Sequence, residues 1–241
     1  MIPEASFIPS PPKNVSGPYK RTKLRSCIDD KAAFFFFKRL ADVVVSLLFI
    51  IIVLSWLFPL IALLTWLDSG GPVLFLQERV GRGGNTFLCF KFRTMQHGPG
   101  EQPRITAFGH FLRKSNVDEF PQFLNVLLGT MSLVGPRPHM HSDCRRFSRL
   151  VPRYKLRNFV RPGITGLAQV KGYHGPAIGE ESIIRRYEWD AFYVRNASFW
   201  LDIKILRRTI FQSVANLFNL TIQPPSGNDK PISRYADKPM G

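Results

Sequence analysis

The sequence contains few acidic residues and few cysteines. Its 17 aspartates and glutamates stand against 33 lysines and arginines, which gives a formal net charge of +16. Such a charge attracts polyanions, a class that includes nucleic acids, anionic lipid headgroups and phosphorylated substrates. The three cysteines, Cys27, Cys89 and Cys144, are widely spaced and form no metal-binding pattern. Their number and spacing argue against a disulfide framework and favour a reducing compartment.

Patterns that mark several common function classes are also missing. No stretch repeats internally, and no helical pattern follows the glycines around residue 83, so they form no dinucleotide-binding fingerprint. There is no zinc-ligand spacing and no basic region that leads into a leucine heptad, which argues against the usual nucleic-acid-binding modules. A chain of 241 residues holds one ordinary domain, with room for a small appendage, and can bury a core.

One long apolar stretch is present. The 25 residues from Val43 to Leu67 are interrupted only by two serines, a threonine and Pro59, and a helix of that length reaches across a bilayer core of roughly 30 Å. Pro59 removes a backbone donor and predicts a kink. Basic residues flank both ends, namely Lys31, Lys38 and Arg39 before the stretch and Arg79, Arg82, Lys91 and Arg93 after it. Because the positive-inside bias then assigns neither end to the outside, the pattern leaves open a spanning helix and a re-entrant helix that turns back at Pro59.

The rest of the chain predicts an α+β protein. Residues 1–30 are basic and proline-rich, which predicts a disordered lead-in, and residues 221–241 predict a flexible tail. Alternating patterns at Val73–Val80 and Thr86–Met95, joined by a glycine-rich turn, predict a β-hairpin. Shorter patterns predict a helix at 105–114, a strand at 167–171 and a helix at 181–195. We therefore divide the chain into a membrane helix at 31–67 and a domain at 68–220.

The last predicted helix is amphipathic. Apolar residues recur every three or four positions along one face, at Phe199, Ile203, Leu206, Ile210, Val214 and Leu217. The other face carries Lys204, Arg207 and Arg208. This pattern is typical of a helix that lies in the interface of an anionic membrane. Packing of the same stripe onto the domain is the alternative.

The candidate reactive groups are two adjacent carboxylates, Asp118 and Glu119. Ser115 precedes them at capping-box spacing, while Pro121 favours a helix that begins at Asp118 itself. At a helix start, the positive end of the dipole would lower the pKa of Asp118 and keep it ionised. An ionised aspartate can attack phosphorus and form an acyl phosphate. Glu119 would help to hold Mg²⁺ or accept a proton; the alternative is that both acids only complement the helix dipole.

Several basic residues are candidates for phosphate binding. Arg113 and Arg137 carry guanidinium groups that can clamp two oxygens at once. Prolines on both sides of Arg137 restrict its backbone. Lys91, Arg93 and Arg161 are further candidates, and for each of them a solvated or lipid-facing charge is the alternative.

These motifs, taken in order, resemble the bacterial sugar transferases, which are monotopic polyprenyl-phosphate phosphoglycosyl transferases. The resemblance covers roughly residues 31–212. The matching runs are Lys38–Asp42, Gln77–Gly81, Lys91–Met95, Asp118–Val126, Met131–Pro138 and Arg161–Gly166. No single run is decisive, but the ordered set is specific to this family.

The resemblance implies an enzyme of the bacterial inner membrane whose active site faces the cytoplasm and whose re-entrant helix breaks at Pro59. Where the family often has serine before this proline, this chain has Phe58, and Ser55 is the nearest substitute. Asp118 falls on the family's nucleophile, which also binds Mg²⁺, and Glu119 falls on its acidic partner. By the same resemblance, Arg113 and Arg137 handle phosphate or stabilise the site, and the strand that carries Lys91 lines it.

The resemblance also implies a ping-pong reaction. A UDP-sugar gives its sugar phosphate to the aspartate and releases UMP, and a polyprenyl phosphate then accepts the group. The runs Tyr187–Asp190 and Asn196–Asp202 resemble the exopolysaccharide-initiating branch, which transfers glucose 1-phosphate or galactose 1-phosphate. Longer members carry additional transmembrane helices and a further domain, so we expect a form with the catalytic core only. The expected partners are the two substrates and anionic lipid, without nucleic acid; a homodimer is one option for the oligomeric state.

Two rival functions use the same features. A membrane-tethered basic module that scaffolds a complex or binds nucleic acid would explain the charge and the apolar stretch, but it leaves Asp118 and Glu119 without a role. A metal-dependent sugar transferase of the inverting or retaining type would carry an Asp-x-Asp run, which this sequence lacks.

Overall fold

The computed structural model describes residues 31–96, 103–173, 175 and 179–218, and the predicted lead-in and tail lie outside these ranges. The apolar stretch forms one continuous helical segment. It consists of α1 (Ala32–Phe49), a π-helical turn (Ile50–Leu54) and α2 (Ser55–Ser69). Gly70, with a left-handed backbone, ends α2 and donates its N–H to the Trp66 carbonyl. By length and hydropathy this segment is the one helical stretch in the described ranges that is able to cross a membrane.

The domain that follows mixes short strands with helices, as the predicted α+β class requires. β1 (Leu74–Val80) and β2 (Thr86–Phe92) form the predicted antiparallel hairpin, with Gln77 opposite Cys89. β3 (Met95–Gln96) pairs with β4 (Arg104–Ile105), and β5 (Ser132–Val134) pairs in parallel with β6 (Gly163–Thr165). The helices are α3 (Ala107–Ser115), α4 (Gln122–Leu127), α5 (His141–Leu150), α6 (Leu167–Val170), α7 (Glu180–Asn196) and α8 (Phe199–Leu217).

The strand predicted at 167–171 is wrong. Leu167, Ala168 and Val170 lie in the short helix α6 instead, and all three are buried in the main core. The strand lies just before them, at β6. The main core joins α4, β5, α6, α7 and α8 around large buried side chains that include Met131, Leu167, Tyr193 and Ile205.

Polar contacts fix α1 on the domain. Lys38, Asp42 and Ser46 are buried at helical spacing on one face. Lys38 contacts Asp202 at 2.7 Å, and Asp42 accepts a hydrogen bond from the Ser132 hydroxyl at 2.7 Å. At the beginning of the helix, Lys31 donates to the carbonyl of Arg195. The charges of α1 therefore lie against the domain rather than in an apolar environment.

Apolar contacts fix α2 on the same domain. Leu54 and Ile61 are buried together with Phe92 of β2 and Leu112 of α3. Phe58 packs against Phe92, with ring centroids 5.3 Å apart. Both halves of the helical segment thus pack against one domain.

The segment departs from α-helical geometry one turn before Pro59. The π-helical turn widens the helix there, and π-turns and prolines are recognised causes of helix bending. The Ser55 hydroxyl donates to the Ile51 carbonyl at 2.6 Å, and the Trp56 indole donates to the Ile52 carbonyl at 2.8 Å. Ser55 therefore satisfies a backbone carbonyl of the π-helical turn that precedes Pro59.

Two turns, Gly135–Pro138 and Arg161–Gly163, contact each other through their backbones. Gly135 and Gly163 lie so close that a side chain at either position would collide with the other turn. Gly135 donates its N–H to Thr165 at 2.9 Å, and Gly163 donates to Pro136 at 3.1 Å. This close approach places the Arg137 turn beside the β5–β6 pair.

The last helix, α8, packs against the domain mainly through a face other than the predicted apolar stripe. Leu201, Ile205 and Ala215 are buried against the domain. Most of the predicted stripe is exposed, with Ile203 at 53% and Ile210 at 65% exposure. The packing alternative for this stripe is therefore not what the structure shows.

Candidate active site

Asp118 and Glu119 lie in a 3₁₀ turn (Val117–Glu119) between α3 and α4. Asn116 has a left-handed backbone that ends α3, and Pro121 immediately precedes α4. The predicted capping box is wrong, because Ser115 is the last residue of α3 and its hydroxyl bonds back to the carbonyls of Phe111 and Leu112. The pair of carboxylates therefore sits on a tight turn rather than at the start of a long helix.

Glu119 is held by two cations. One of its oxygens contacts Lys91 at 2.6 Å and Arg137 at 2.7 Å, and the other accepts from Arg137 at 3.2 Å. Burial raises the pKa of Glu119, but Arg137 and Lys91 outweigh it and hold the pKa well below the usual range. Glu119 is consequently a permanent anion that fixes the two basic side chains.

Asp118 is also buried but has no such partner among the described residues. Its exposure is 9%, and it makes no hydrogen bond or ion pair with any residue that the structure describes. Burial and the neighbouring Glu119 charge raise its pKa to about 6, against the opposing effects of Lys91, Arg137 and Arg113. The expectation of a lowered pKa is thus wrong for this geometry, because burial of the carboxyl and repulsion by Glu119 dominate.

The structure brings some of the predicted basic residues to this cluster and places others elsewhere. Arg113 lies beside it and donates to the Thr94 hydroxyl at 2.8 Å. Arg93 instead donates to the Met95 carbonyl at 2.9 Å and packs against Gly71. Arg161 donates to the Gly129 carbonyl at 2.9 Å and lines a separate cavity beside α1.

A buried polar network lies under the Arg137 turn. Arg157 donates to the backbone carbonyl of Arg137 and pairs with Asp190 at 2.9 Å. It also contacts His139 at 2.6 Å and the Tyr154 hydroxyl at 2.8 Å. Burial and the Arg157 charge keep the pKa of His139 well below its usual range, so the neutral ring accepts the hydrogen bond from Arg157.

Sequence reasoning missed this network. Arg157 and Asp190 lie on different elements, and no local spacing distinguishes them from surface charges. The only signal was the resemblance of the Tyr187–Asp190 run to the family, which carried no role for Asp190. The network supports the backbone that carries Arg137.

Of the two carboxylates, Asp118 and Glu119, only Asp118 suits a magnesium ion. Within the described ranges no group of three or more His, Cys, Asp or Glu residues is placed to hold a metal. Mg²⁺ needs no such group, since it commonly binds one or two carboxylates together with water and substrate phosphates. Neither oxygen of Asp118 has a partner among the described residues, so Asp118 suits this role, whereas the oxygens of Glu119 are already bound by Lys91 and Arg137.

The chain is similar to known proteins over most of its length. The bacterial sugar transferase family model matches residues 33–216. The UDP-glucose:undecaprenyl-phosphate glucose-1-phosphate transferase of Klebsiella pneumoniae is 42% identical over 189 residues, which are 75% of this chain and 40% of that protein. The UDP-N-acetylgalactosamine-undecaprenyl-phosphate N-acetylgalactosaminephosphotransferase of Aeromonas hydrophila is 45% identical over 159 residues, 62% of this chain and 37% of that protein.

A shorter relative matches over almost its whole length. The exopolysaccharide production protein PSS of Rhizobium leguminosarum bv. phaseoli is 41% identical over 186 residues, 72% of this chain and 92% of that protein. The chain thus spans about 40% of the Klebsiella relative but nearly all of this one. With a family model that matches most of its length, the chain belongs to the bacterial sugar transferase family.

Proposed function

We propose that the protein transfers a hexose 1-phosphate from a UDP-sugar to undecaprenyl phosphate and releases UMP. The observation that carries the proposal is the contrast within one turn. Glu119 is fixed by Lys91 and Arg137, while Asp118 is buried and has no partner among the residues that the structure describes. The names of the relatives from Klebsiella and Aeromonas describe transfers of this kind. An unpaired carboxylate among cations suits a nucleophile toward a diphosphate.

The first half of the reaction forms a covalent intermediate. A carboxylate oxygen of Asp118 attacks the sugar-bearing phosphorus of the UDP-sugar, and the bond to the bridging oxygen of the diphosphate breaks. UMP leaves with that oxygen and its electron pair. Arg137, Lys91 and Arg113 stabilise the negative charge that develops on the phosphoryl oxygens. Glu119 keeps two of these cations in position.

The second half regenerates the enzyme. An oxygen of undecaprenyl phosphate attacks the same phosphorus, the acyl phosphate bond breaks, and Asp118 is released as a carboxylate. The product is a sugar linked to the lipid through a diphosphate. Mg²⁺ bound at Asp118 and the substrate phosphates would screen the diphosphate charge from the attacking carboxylate.

We further propose that the helical segment α1–α2 is re-entrant and that the active site faces the cytoplasm. Lys31 at one end bonds to the domain, and Phe58 and Ile61 in the second half pack on the same domain. A straight spanning helix would carry its far end across the membrane, away from these partners. The π-turn and Pro59 lie where such a helix would turn back.

Exposed apolar side chains define the surface that would enter the lipid. Ile52, Trp56 and Trp66 of the helical segment are more than half exposed. On α8, Trp200 and Ile210 are exposed beside basic residues, which suits an anionic interface. This arrangement supports a protein held in one leaflet of the bacterial inner membrane.

The test is UMP release by the full chain in membranes that contain Mg²⁺ and undecaprenyl phosphate. A panel of UDP-sugars identifies the hexose, for which we propose glucose or galactose. Asp118→Asn should abolish the release, whereas Asp143→Asn on α5, a matched change outside the site, should not. Absence of UMP release with every sugar, combined with steeply salt-dependent binding to nucleic acid, would favour the basic-module alternative.

A further inference from the structure

A cavity of about 240 Å³ lies between α1 and the β5–β6 region. On the α1 side it is lined by Lys38, Arg39 and Asp42, and on the domain side by Arg82, Ser132 and Arg161. None of these residues bonds to Asp118 or Glu119. The cavity is therefore distinct from the cluster proposed for catalysis.

Three guanidinium groups line this cavity. The pKa of Arg161 is lowered by its burial and by the charges of Arg39 and Arg82, with Asp42 opposing, so these groups lie within electrostatic reach of one another. Like charges in one cavity repel, and an anion between them would relieve that repulsion.

Asp42, the carboxylate that lines the cavity, does not neutralise the arginines, because it is bound by other partners. Asp42 accepts from the Ser132 hydroxyl at 2.7 Å and lies 3.5 Å from Lys38, which in turn contacts Asp202 at 2.7 Å. The charges of Lys38, Asp42 and Asp202 sum to −1. With the three arginines, the formal charge around the cavity is +2.

Donors remain free for a ligand. Arg39 donates to the carbonyls of Val126 and Leu127, and Arg161 donates through Nε alone to Gly129. The terminal nitrogens of Arg161 have no partner among the residues that the structure describes, and the same holds for Arg82, which is exposed. Arginine forks of this kind suit the paired oxygens of a phosphate.

We propose that this cavity is a binding site for a phosphate monoester dianion. Such a group carries a charge of −2 when fully ionised, which matches the +2 of the cavity, and its three terminal oxygens match the free guanidinium donors. A phosphodiester carries one charge and two terminal oxygens and fits less well. The proposal does not depend on turnover at Asp118.

Two sources offer this chemistry. One is a lipid phosphate, since the helix that lines the cavity, α1, also carries the exposed apolar side chains Phe36, Phe37 and Leu40, which would bring this helix into contact with lipid. The other is a soluble monoester or inorganic phosphate that enters from water. The shared feature is the terminal phosphate, and the experiment separates the sources.

The experiment is calorimetric titration of the full chain in detergent, without Mg²⁺ or UDP-sugar. The probes are short-chain phosphatidic acid, which is a lipid monoester, short-chain phosphatidylglycerol, which is a diester, and inorganic phosphate. We expect phosphatidic acid or inorganic phosphate to bind at least about tenfold more tightly than phosphatidylglycerol. Tighter binding of phosphatidic acid would identify a lipid source, and equal binding of inorganic phosphate a soluble one.

Variants locate the site. Arg82→Gln changes an exposed residue and should weaken monoester binding about tenfold, and Arg161→Gln should do the same. Arg146→Gln removes the same charge from the exposed side of α5 and should change the affinity less than about twofold.

Asp118→Asn separates this proposal from the proposed reaction and should also leave the affinity unchanged. Equal affinity of Arg82→Gln and the unmodified protein would overturn the proposal. The proposal would also be overturned if Arg146→Gln lowered the affinity for the monoester as much as Arg82→Gln does, if phosphatidylglycerol bound as tightly as phosphatidic acid, or if Asp118→Asn abolished binding.

Discussion

Two buried charge clusters in this protein are built in opposite ways. In the cluster between α1 and α8, every carboxylate is paired: Asp42 with Ser132 and Lys38, and Asp202 with Lys38 and Tyr193. In the turn between α3 and α4, Glu119 is paired, but its neighbour Asp118 has no partner in the described part of the chain. A buried carboxylate with partners holds elements together, whereas one without partners is available to a substrate.

The contrast between the two clusters is tested most strongly by changing one aspartate in each cluster to asparagine. Asp118→Asn should lower kcat for UMP release by about 10⁴-fold, because the nucleophile is lost. Its free energy of unfolding in detergent should stay the same or rise, because no ion pair is broken. Kinetic assays and denaturant titration on the same preparation check both results.

Asp202→Asn should show the reverse. It removes the charge that faces Lys38 and Tyr193, so we expect a loss of about 3 kcal/mol in the free energy of unfolding. The folded fraction should keep most of its UMP release. A variant that is fully stable but inactive would contradict the structural role of this cluster.

Glu119→Gln tests the paired half of the catalytic turn. Without the charge of Glu119, Lys91 and Arg137 lose the anion that fixes them, and kcat should fall about 10²-fold. Glu188→Gln is the matched control, because Glu188 pairs with Arg185 on α7, away from the turn. Unchanged kcat in Glu119→Gln would show that the pairing with Lys91 and Arg137 has no role in the reaction.

Asp190→Asn tests the network below Arg137. It weakens the partner of Arg157, which donates to the Arg137 backbone, and we expect about a tenfold loss in kcat. Since Asp190 acts through Arg157 and Arg137, the loss should shrink when it is combined with Arg137→Lys, as a double-mutant cycle would show. Independent, fully additive effects would contradict this coupling.

Ser55→Ala has the smallest expected effect, at the end of the π-helical turn in the helical segment. It removes the donor to the Ile51 carbonyl and should cost about 1 kcal/mol of unfolding free energy in detergent. Ser115→Ala removes a hydroxyl that bonds to the carbonyls of Phe111 and Leu112 at the end of α3, outside the apolar helical segment, and serves as the control. Its expected loss is smaller, because water can replace these bonds.

The sequence predicted the elements that depend on local pattern. The β1–β2 hairpin followed from alternation around a glycine turn. The kink at Pro59 stays a prediction, because Pro59 lies inside α2 and the helix continues on both sides of it. The π-turn at Ile50–Leu54 was missed, because nothing in a uniform apolar run marks where a helix widens. The strand at 167–171 was wrong, because burial of Leu167, Ala168 and Val170 comes from tertiary contacts rather than from alternation.

In the site, too, the residues could be predicted from local sequence, whereas their environment depends on tertiary contacts. Asp118, Glu119, Lys91 and Arg137 were singled out from the sequence, and the structure brings them together. The pKa of Asp118 was predicted in the wrong direction, since burial and the proximity of Glu119 depend on the folded turn. The pairing of Arg157 with Asp190 links residues 33 positions apart on different elements, which no local spacing encodes.

The most direct test of the central claim is intact mass measurement after mixing the protein with a UDP-sugar and Mg²⁺ in the absence of undecaprenyl phosphate. The account predicts an added mass equal to one sugar phosphate, located on Asp118, which disappears when undecaprenyl phosphate is supplied and never forms in Asp118→Asn. Turnover of UDP-sugar and undecaprenyl phosphate by Asp118→Asn at the normal rate, without any protein adduct, would contradict it.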